Sequence, residues 1–395
     1  MERYKYLIVG GGMTADAAVR GIRELDSTGS IGLISAETAG PYDRPPLSKG
    51  LWKGKALESI WRKTAEVAGV RLHLATTAAR IDVAERQVVD GAGSGYSYEK
   101  LLLATGGSPR HLPFGEGSII YFRTLEDYQR LHALAQERDR FAVIGGGFIG
   151  SEIAAALAMN GKHVVMAFPE VGIGALAYPA DLSHAVTQLY RDKGVEVFTG
   201  ASVEGLEQDQ SGPSLHLSGH QMVRVDAVVA GIGIVPNIDL AKDANLEVSG
   251  GIVVDEFLQT TAPNVYAAGD VARFFNPALN ERIRVEHEDN TNAMGRLAGR
   301  NMAGAAERYT HLPFFYSDLF ELGYEAVGEL DPRLETVVDW KQRYREGVIY
   351  YLKDGRVRGV LLWNTWNQVD AARALIAEPG PVRPEDLRGR LPVKQ

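Results

Sequence analysis

Runs of consecutive apolar residues that end on glycine recur along the chain, and small residues at helical spacing follow the strongest of them. In residues 4–20, YKYLIVGGGMTADAAVR, a short apolar strand runs into a glycine turn and then an alanine-rich helix. A run apolar at nearly every position predicts a buried strand of the kind parallel sheets use. IGLIS at 31–35 predicts the next strand. The pattern returns at 141–170, FAVIGGGFIGSEIAAALAMNGKHVVMAFPE, as strand, glycine turn, helix and strand. LLLATGGSPR at 101–110 and NVYAAGDVA at 264–272 are further buried-type strands ending on glycine turns, the second expected to lead into a helix. A helix is also expected from about Asp289 to Asn301. Strands alternating with helices predict an α/β fold.

Beyond residue 306 the pattern changes. Several β-rich runs, RVRGVLLW among them, and a helix near 367–376 predict a small mixed α/β domain over 306–395. Its last stretch from 379, PGPVRPEDLRGRLPVKQ, is proline-rich and polar and reads as a mobile or loosely docked tail. PYDRPPLSKG at 41–50 reads as a stiff loop, since two adjacent prolines fix φ and exclude a regular helix or central strand. No short repeat, low-complexity tract or coiled coil is found.

The glycine spacing gives the strands a chemistry. In Gly10-x-Gly12-x-x-Ala15 the first glycine permits the tight turn and the second lets a pyrophosphate approach the backbone. The small third residue allows close packing of helix on strand, and the phosphates meet the helix N–H groups and the positive end of its dipole. Glu37 follows the second strand where a ribose-binding acid belongs. Gly145-x-Gly147-x-x-Gly150 repeats the unit about 135 residues on, with Glu170 as its acid. Two units imply two dinucleotides. A carboxylate on the Ala268-Gly269-Asp270 turn is placed to accept from sugar hydroxyls. The expected fold class is therefore α/β, with two Rossmann-like dinucleotide-binding domains and a small C-terminal domain. The first domain is expected to be discontinuous, 1–123 plus 253–305, with the second inserted at 124–252.

Composition narrows the chemistry. Lys+Arg is 42 and Asp+Glu is 50, a formal net charge of −8, so no dedicated nucleic-acid binding is expected. There is no cysteine, which excludes disulfides, thiolate metal sites and dithiol redox chemistry within the chain. No metal site is expected. MERYKYLIVGGG enters a strand without a cleavable signal or spanning segment, which sets a cytoplasmic, membrane-free expectation.

Taken in order, GGG, ATGG, GGGFIGSE and AAGD resemble the two-dinucleotide flavoprotein reductases, which carry FAD on the first unit and a nicotinamide nucleotide on the second. Many of those enzymes have a redox-active cysteine pair where this chain has PYDRPPLSKG. The branch with this loop includes the ferredoxin, rubredoxin and putidaredoxin reductases. RVEHEDNTNAMGRLAGRNMAGAA at 284–306, FFYSDLFELGYEAVGELD at 314–331 and YREGVIYYLKDGRVRGVLLWNTWNQVDAAR at 344–373 look most like the apoptosis-inducing-factor branch.

The resemblance implies roles residue by residue. Ala104, Thr105, Gly106 and Arg110 of the ATGG turn, with Asp270, would hold FAD. Arg44 would lie near FAD, and Lys49 would reach the flavin N5 edge with Glu152 as its carboxylate partner. A fixed cation there would stabilise the charge that hydride transfer adds. Glu286, His287 and Trp363 would contribute to the FAD site, with His287 a catalytic residue that also shapes the nicotinamide pocket. Trp366 would lie near the same face as Trp363, and core packing accounts equally well for at least one of the two indoles. Ile149 in the second glycine turn and Gly233 in GIGIVPN, 231–237, would contact NAD. Glu170 argues for NADH, because a carboxylate repels a 2′-phosphate, though it lies two residues beyond the usual strand end. The chain departs from the mitochondrial members in lacking a targeting segment and long insertions. Tyr316 stands where the family usually has tryptophan, and Ala36 replaces a common acid one residue before Glu37.

Two function classes follow from the resemblance. One is an NADH-dependent FAD reductase that passes electrons directly to a ferredoxin-type carrier, a quinone or a dye. The other is a redox-responsive protein in which a long-lived reduced complex controls oligomerisation, as monomer or homodimer, or partner binding. A non-catalytic FAD-binding scaffold is the weaker third.

Overall fold

The computed structural model describes residues 1–210 and 212–391. Among them are seven α-helices, α1 (Met13–Arg23), α2 (Leu125–Glu137), α3 (Phe148–Met159), α4 (Ala180–Asp192), α5 (Asp239–Asp243), α6 (Glu288–Met302) and α7 (Val369–Ala377). The chain divides into two compact units, each discontinuous. The first comprises Met1–Asp43, Leu57–Ser108 and Val235–Pro313; the second comprises Arg44–Ala56, Pro109–Ile234 and the chain from Phe314 onward.

In the first unit, strands Val70–His73, Ile31–Ile34, Glu2–Val9 and Gly95–Leu103 lie side by side in that order and run parallel. Val265–Ala267 joins the far half of Gly95–Leu103, also parallel. The near half carries an antiparallel hairpin, Ala78–Asp82 and Gln87–Asp90. Leu7, Ile8, Leu101, Leu102, Leu103 and Val265 are wholly buried, as their uninterrupted apolar runs require. Helices α1 and α6 meet backbone to backbone. A Cβ on Gly21 would lie 2.0 Å from the Arg296 carbonyl oxygen, and one on Gly299 2.1 Å from that of Ala18. Only glycine permits that approach.

Two local expectations change here. No α-helix follows Ala268-Gly269-Asp270. A single 3₁₀ turn, Gly269–Val271, leads instead into strand Ala272–Asn276. Its alternating burial is a strand pattern, and pairing with Glu281–Ile283 claims it for a sheet. The helix expected from about Asp289 is α6, one residue longer at each end.

The second unit contains a five-stranded parallel sheet in the order Glu196–Thr199, His163–Phe168, Arg140–Ile144, Ala227–Ala230, Ile119–Tyr121. Its α2 opens on a reciprocal cap between Thr124 and Asp127. The C-terminal part forms an antiparallel sheet ordered Phe314–Leu319, Leu322–Gly328, Arg356–Trp363, Glu346–Lys353, Glu335–Gln342. Trp363, Tyr324, Tyr350 and Tyr351 are its fully buried aromatics. Of the stretch from 379, Leu387 and Leu391 are buried and the Gly389 N–H donates to Asp339 at 2.7 Å. Residues 392–395 lie outside the described residues.

The double-proline loop belongs to this unit. Pro45–Leu47 make one 3₁₀ turn, which the prolines tolerate because the first turn of a helix needs no N–H donors. Gly50–Lys53 make a second, and the Trp52 indole N–H donates to the Leu47 carbonyl at 2.9 Å. The Trp52 ring packs edge-on against Tyr128 of α2 and beside His132, while Asn160 after α3 donates to the Trp52 carbonyl. The loop is thus pinned to α2 and α3 before any ligand is considered.

Candidate active site

The first glycine turn is shaped by its neighbours. Gly10 has φ +126°, and a Cβ there would lie 2.0 Å from the Ala104 carbonyl oxygen, so the ATGG strand end presses directly on it. Gly12 is the N-cap of α1, makes no side-chain cap, and faces open space where a Cβ would point. Ala15, in the first turn of α1, is fully buried. These are the conditions for a pyrophosphate at a helix start.

Around this turn the expected FAD residues of the first unit are held in place. The Thr105 hydroxyl donates to the Asn237 carbonyl at 2.8 Å, the Asn237 amide returns to the Thr105 carbonyl at 2.9 Å, and the Asn237 N–H donates to Gly106 at 3.0 Å. Glu37 is half-buried just past Ile31–Ile34 and accepts from the Tyr42 hydroxyl at 2.6 Å. Asp270 is buried on the turn after Val265–Ala267, and Arg284 donates to its carbonyl at 2.9 Å. Arg284 also pairs with the exposed Glu286 at 2.6 Å. His287 is the N-cap residue of α6. Burial depresses its imidazole to about 4, against the pull of Asp270 and Asp289, so it is neutral at physiological pH. The glycine cradle, the acid beyond the second strand and the buried Asp270 suit a dinucleotide.

The second cradle has the same form with a tighter fit. Gly145 has φ +112°, Gly147 caps α3 over open space, and a Cβ on Gly150 would lie 2.1 Å from the Gly145 carbonyl oxygen. Phe148 and Ile149 begin the helix part-exposed. Glu170 is half-buried two residues beyond His163–Phe168, its carbonyl accepting from the Gly200 N–H at 2.9 Å. Gly233, with φ +89°, accepts at its carbonyl from the Arg110 N–H. The exposed Arg110 side chain therefore belongs to the second unit rather than to the first-unit turn that precedes it. Arg44, also in the second unit, donates to the Arg123 carbonyl at 2.8 Å.

Lys49 and Glu152 form an ion pair at 2.7 Å, with side chains only 12% and 3% exposed. A charge so far from water needs a partner and further hydrogen bonds. Glu152 has them: Ser48 donates to one carboxylate oxygen at 2.6 Å, and Ser317 donates to the other at 2.6 Å. The Lys49 ammonium also lies over the Tyr316 ring, 5.1 Å from its centre. Tyr178, Tyr190 and Tyr324 border the carboxylate, and each hydroxyl is held well above its ordinary range, chiefly by burial.

Sequence reasoning missed three contributors. Ser48 lay inside the quoted loop. Ser317 faces inward with Leu319 on its strand, a placement that the run FFYSDL does not signal. Trp52 followed the loop directly. Trp363, expected beside the flavin, is fully buried, stacked on Tyr324 with a 9° interplanar angle and donating to the Tyr344 carbonyl. The exposed indole is Trp366.

A family profile described as pyridine nucleotide-disulphide oxidoreductase matches residues 4–295. One described as apoptosis-inducing factor, mitochondrion-associated, C-term, matches 298–343 and 338–378. The chain is 35% identical over 430 residues to apoptosis-inducing factor 1, mitochondrial, of Dictyostelium discoideum, covering 98% of this chain and 80% of that one. It is 31% identical over 394 residues to putidaredoxin reductase CamA of Pseudomonas putida, covering 96% and 93%. Among solved structures, the covalent putidaredoxin reductase–putidaredoxin complex matches with a TM-score of 0.90 at 31% identity, over 98% of this chain and 95% of that one.

Proposed function

As the chain belongs to the pyridine nucleotide-disulphide oxidoreductase family, we propose that it takes hydride from NADH onto bound FAD and passes the electrons directly to a separate ferredoxin-type carrier. It is a FAD-dependent NAD(P)H oxidoreductase that serves an external acceptor. The disulphide of the family name has no counterpart, since the chain has no cysteine. The acceptor must therefore draw on the flavin itself. The protein needs a compartment that holds NADH and a ferredoxin-type carrier, and we assign it to the cytoplasm as one that does.

The buried Lys49–Glu152 pair carries this reading. When bound, FAD supplies the ring that accepts hydride and later gives up electrons. The chain supplies position and charge. Gly10, Gly12 and Ala15 shape the place for one pyrophosphate, with Glu37 and Asp270 as acceptors for sugar hydroxyls. Gly145, Gly147 and Gly150 shape the other, with Glu170 as ribose acid and as the group that disfavours a 2′-phosphate. Lys49 supplies a preorganised cation for the flavin edge where charge develops, and Glu152 keeps that cation bearable in a dry site. Neutral His287 contributes a ring and a hydrogen-bonding nitrogen without adding charge.

The putidaredoxin reductase relative and the solved putidaredoxin reductase–putidaredoxin complex favour a ferredoxin-type acceptor. The test is steady-state turnover of the FAD-loaded protein with NADH or NADPH against a ferredoxin, a quinone and a dye, with a parallel record of reoxidation in air. Preference for NADH and fastest turnover with the ferredoxin are expected. Reduction that persists for minutes in air, with negligible turnover on every acceptor, would replace this reading with that of a redox-responsive binding protein.

A further inference from the structure

Glu152 is held by more than its lysine. Oε1 accepts from both the Lys49 ammonium at 2.7 Å and the Ser317 hydroxyl at 2.6 Å, while Oε2 accepts from the Ser48 hydroxyl at 2.6 Å. Ser48 and Ser317 are themselves 4% and 1% exposed. Each hydroxyl has a single proton to give. The other acceptor near Ser48, the Pro45 carbonyl, lies at 3.4 Å, so that proton is committed to the carboxylate. The three donors come from two stretches of chain distant from Glu152: Ser48, beside Lys49, stands 104 residues away, and Ser317 stands 165. Strand Phe314–Leu319 touches both members of the pair, since Tyr316 lies beneath the ammonium and the neighbouring Ser317 reaches the carboxylate.

A carboxylate on a long side chain turns freely about its last bond unless both oxygens are held. With one partner only, the Glu152 carboxylate could turn, and the ammonium of Lys49, on four rotatable bonds, would follow it. The two serines remove that freedom from opposite sides. We propose that Ser48 and Ser317 are positioning residues of the Lys49–Glu152 pair, so that the C-terminal sheet, through Ser317, fixes the direction in which the Lys49 ammonium is presented. The proposal rests on the reading of Lys49 as the cation for the hydride-accepting site. It assigns the C-terminal sheet a part in the reaction as well as in stability.

The experiment compares wild type, Ser317→Ala, Ser48→Ala, the double variant, Ser317→Thr and Lys49→Met as full-length proteins. The first readout is the rate at which an amine-acylating ester modifies Lys49, followed by peptide mass with and without FAD. Half-buried Lys162 and the melting temperature report general loosening. The second is the limiting rate of anaerobic flavin reduction by NADH, separated from half-saturation by NADH. Losing charge-assisted hydrogen bonds worth about tenfold each, the single variants are expected to acylate Lys49 about 10-fold faster and the double variant about 100-fold faster, with Lys162 unchanged. The double variant's limiting reduction rate is expected to fall about 10-fold at unaltered half-saturation, with Ser317→Thr close to wild type. Acylation and limiting rate both within about twofold of wild type, or acylation of Lys49 and Lys162 rising together with a falling melting temperature, would overturn the proposal. If Lys49→Met is reduced as fast as wild type, the reading of Lys49 fails; the acylation rates still decide whether the serines hold the pair.

Discussion

The two glycine turns share a plan and differ in the company their helices keep. Each is followed within a turn of helix by a buried acid, Asp16 in α1 and Glu152 in α3. Asp16 is bound by arginines: Arg20 holds it with two contacts at 2.9 and 3.0 Å, and Arg62 adds one at 3.4 Å. Arg62 also reaches Asp43 and Asn292, and Thr64 donates to Asp16 at 2.7 Å. Glu152 is bound by a lysine and two serines. A guanidinium fork spread over several acceptors is a fastening. A compact ammonium over an aromatic ring carries three donors, of which the Glu152 carboxylate engages one. Under the function proposed above, the same local element serves as architecture in one unit and as chemistry in the other, and the cation marks the difference.

The largest expected effects separate the two turns themselves. In Gly150→Ala a methyl meets backbone at 2.1 Å, and the helix must move. Overpacking of this kind should lower stability by about 2–4 kcal/mol in urea denaturation and weaken NADH binding. Ala15→Gly removes only a buried methyl and adds helix entropy, for a loss of about 1–2 kcal/mol with NADH binding unaltered. Equal losses would mean that the two cradles are not distinguished by fit.

Exchanging the cations tests the contrast next. Arg62→Met leaves a buried Asp16 short of a partner and should cost about 1–3 kcal/mol of stability, with little change in the limiting rate of reduction. Lys49→Met likewise leaves the buried Glu152 short of a partner and should cost at least as much stability, but it should also slow that rate about 10- to 100-fold with FAD retained. A single profile for both variants would remove the distinction.

The first unit also carries a titratable group kept neutral. His287 falls from 6.5 to about 4 on folding. Its folded value lies below its unfolded value, so between the two the unfolded chain binds more protons. Stability contributed by keeping it neutral is complete above about pH 6.5 and is lost as pH falls toward 4. His287→Asn, which keeps a cap residue at the start of α6, should flatten the urea-denaturation profile over that window by about 1–3 kcal/mol. An unaltered slope would show that His287 titrates normally in the folded state.

The smallest effect concerns the two ribose acids. Glu170→Gln should reduce the preference for NADH over NADPH about 10-fold, measured as a ratio of kcat/KM, whereas Glu37→Gln should leave it unchanged. An equal change from both would reassign the second cradle.

What the sequence revealed follows the range of the interactions. The glycine turns, the buried parallel strands and α6 were legible because steric demand and apolar runs are local. A φ of +126° at Gly10 is written into one residue and its neighbours. Lys49 and Glu152 were paired through family likeness, because the 2.7 Å contact joins segments about a hundred residues apart and leaves no periodic trace. Ser317 was not legible, because FFYSDL at 314–319 does not alternate in polarity and its inward face shows only in the folded strand. Trp363 and Trp366 stayed open between site and core, because an indole in a motif looks the same whether it lines a site or fills a core; the folded chain buries Trp363 against Tyr324. The strand after Asp270 was read as a helix because the alternation of Ala272–Asn276 covers only five residues.

The most direct test is anaerobic mixing of the FAD-loaded protein with NADH, with the visible flavin absorbance followed in wild type and in Lys49→Met. Complete bleaching of wild type, at a limiting rate that falls about 10- to 100-fold in the variant, is the expected result. A flavin that NADH leaves unbleached, or that bleaches equally fast without the lysine, would contradict the assignment of the buried pair to hydride transfer.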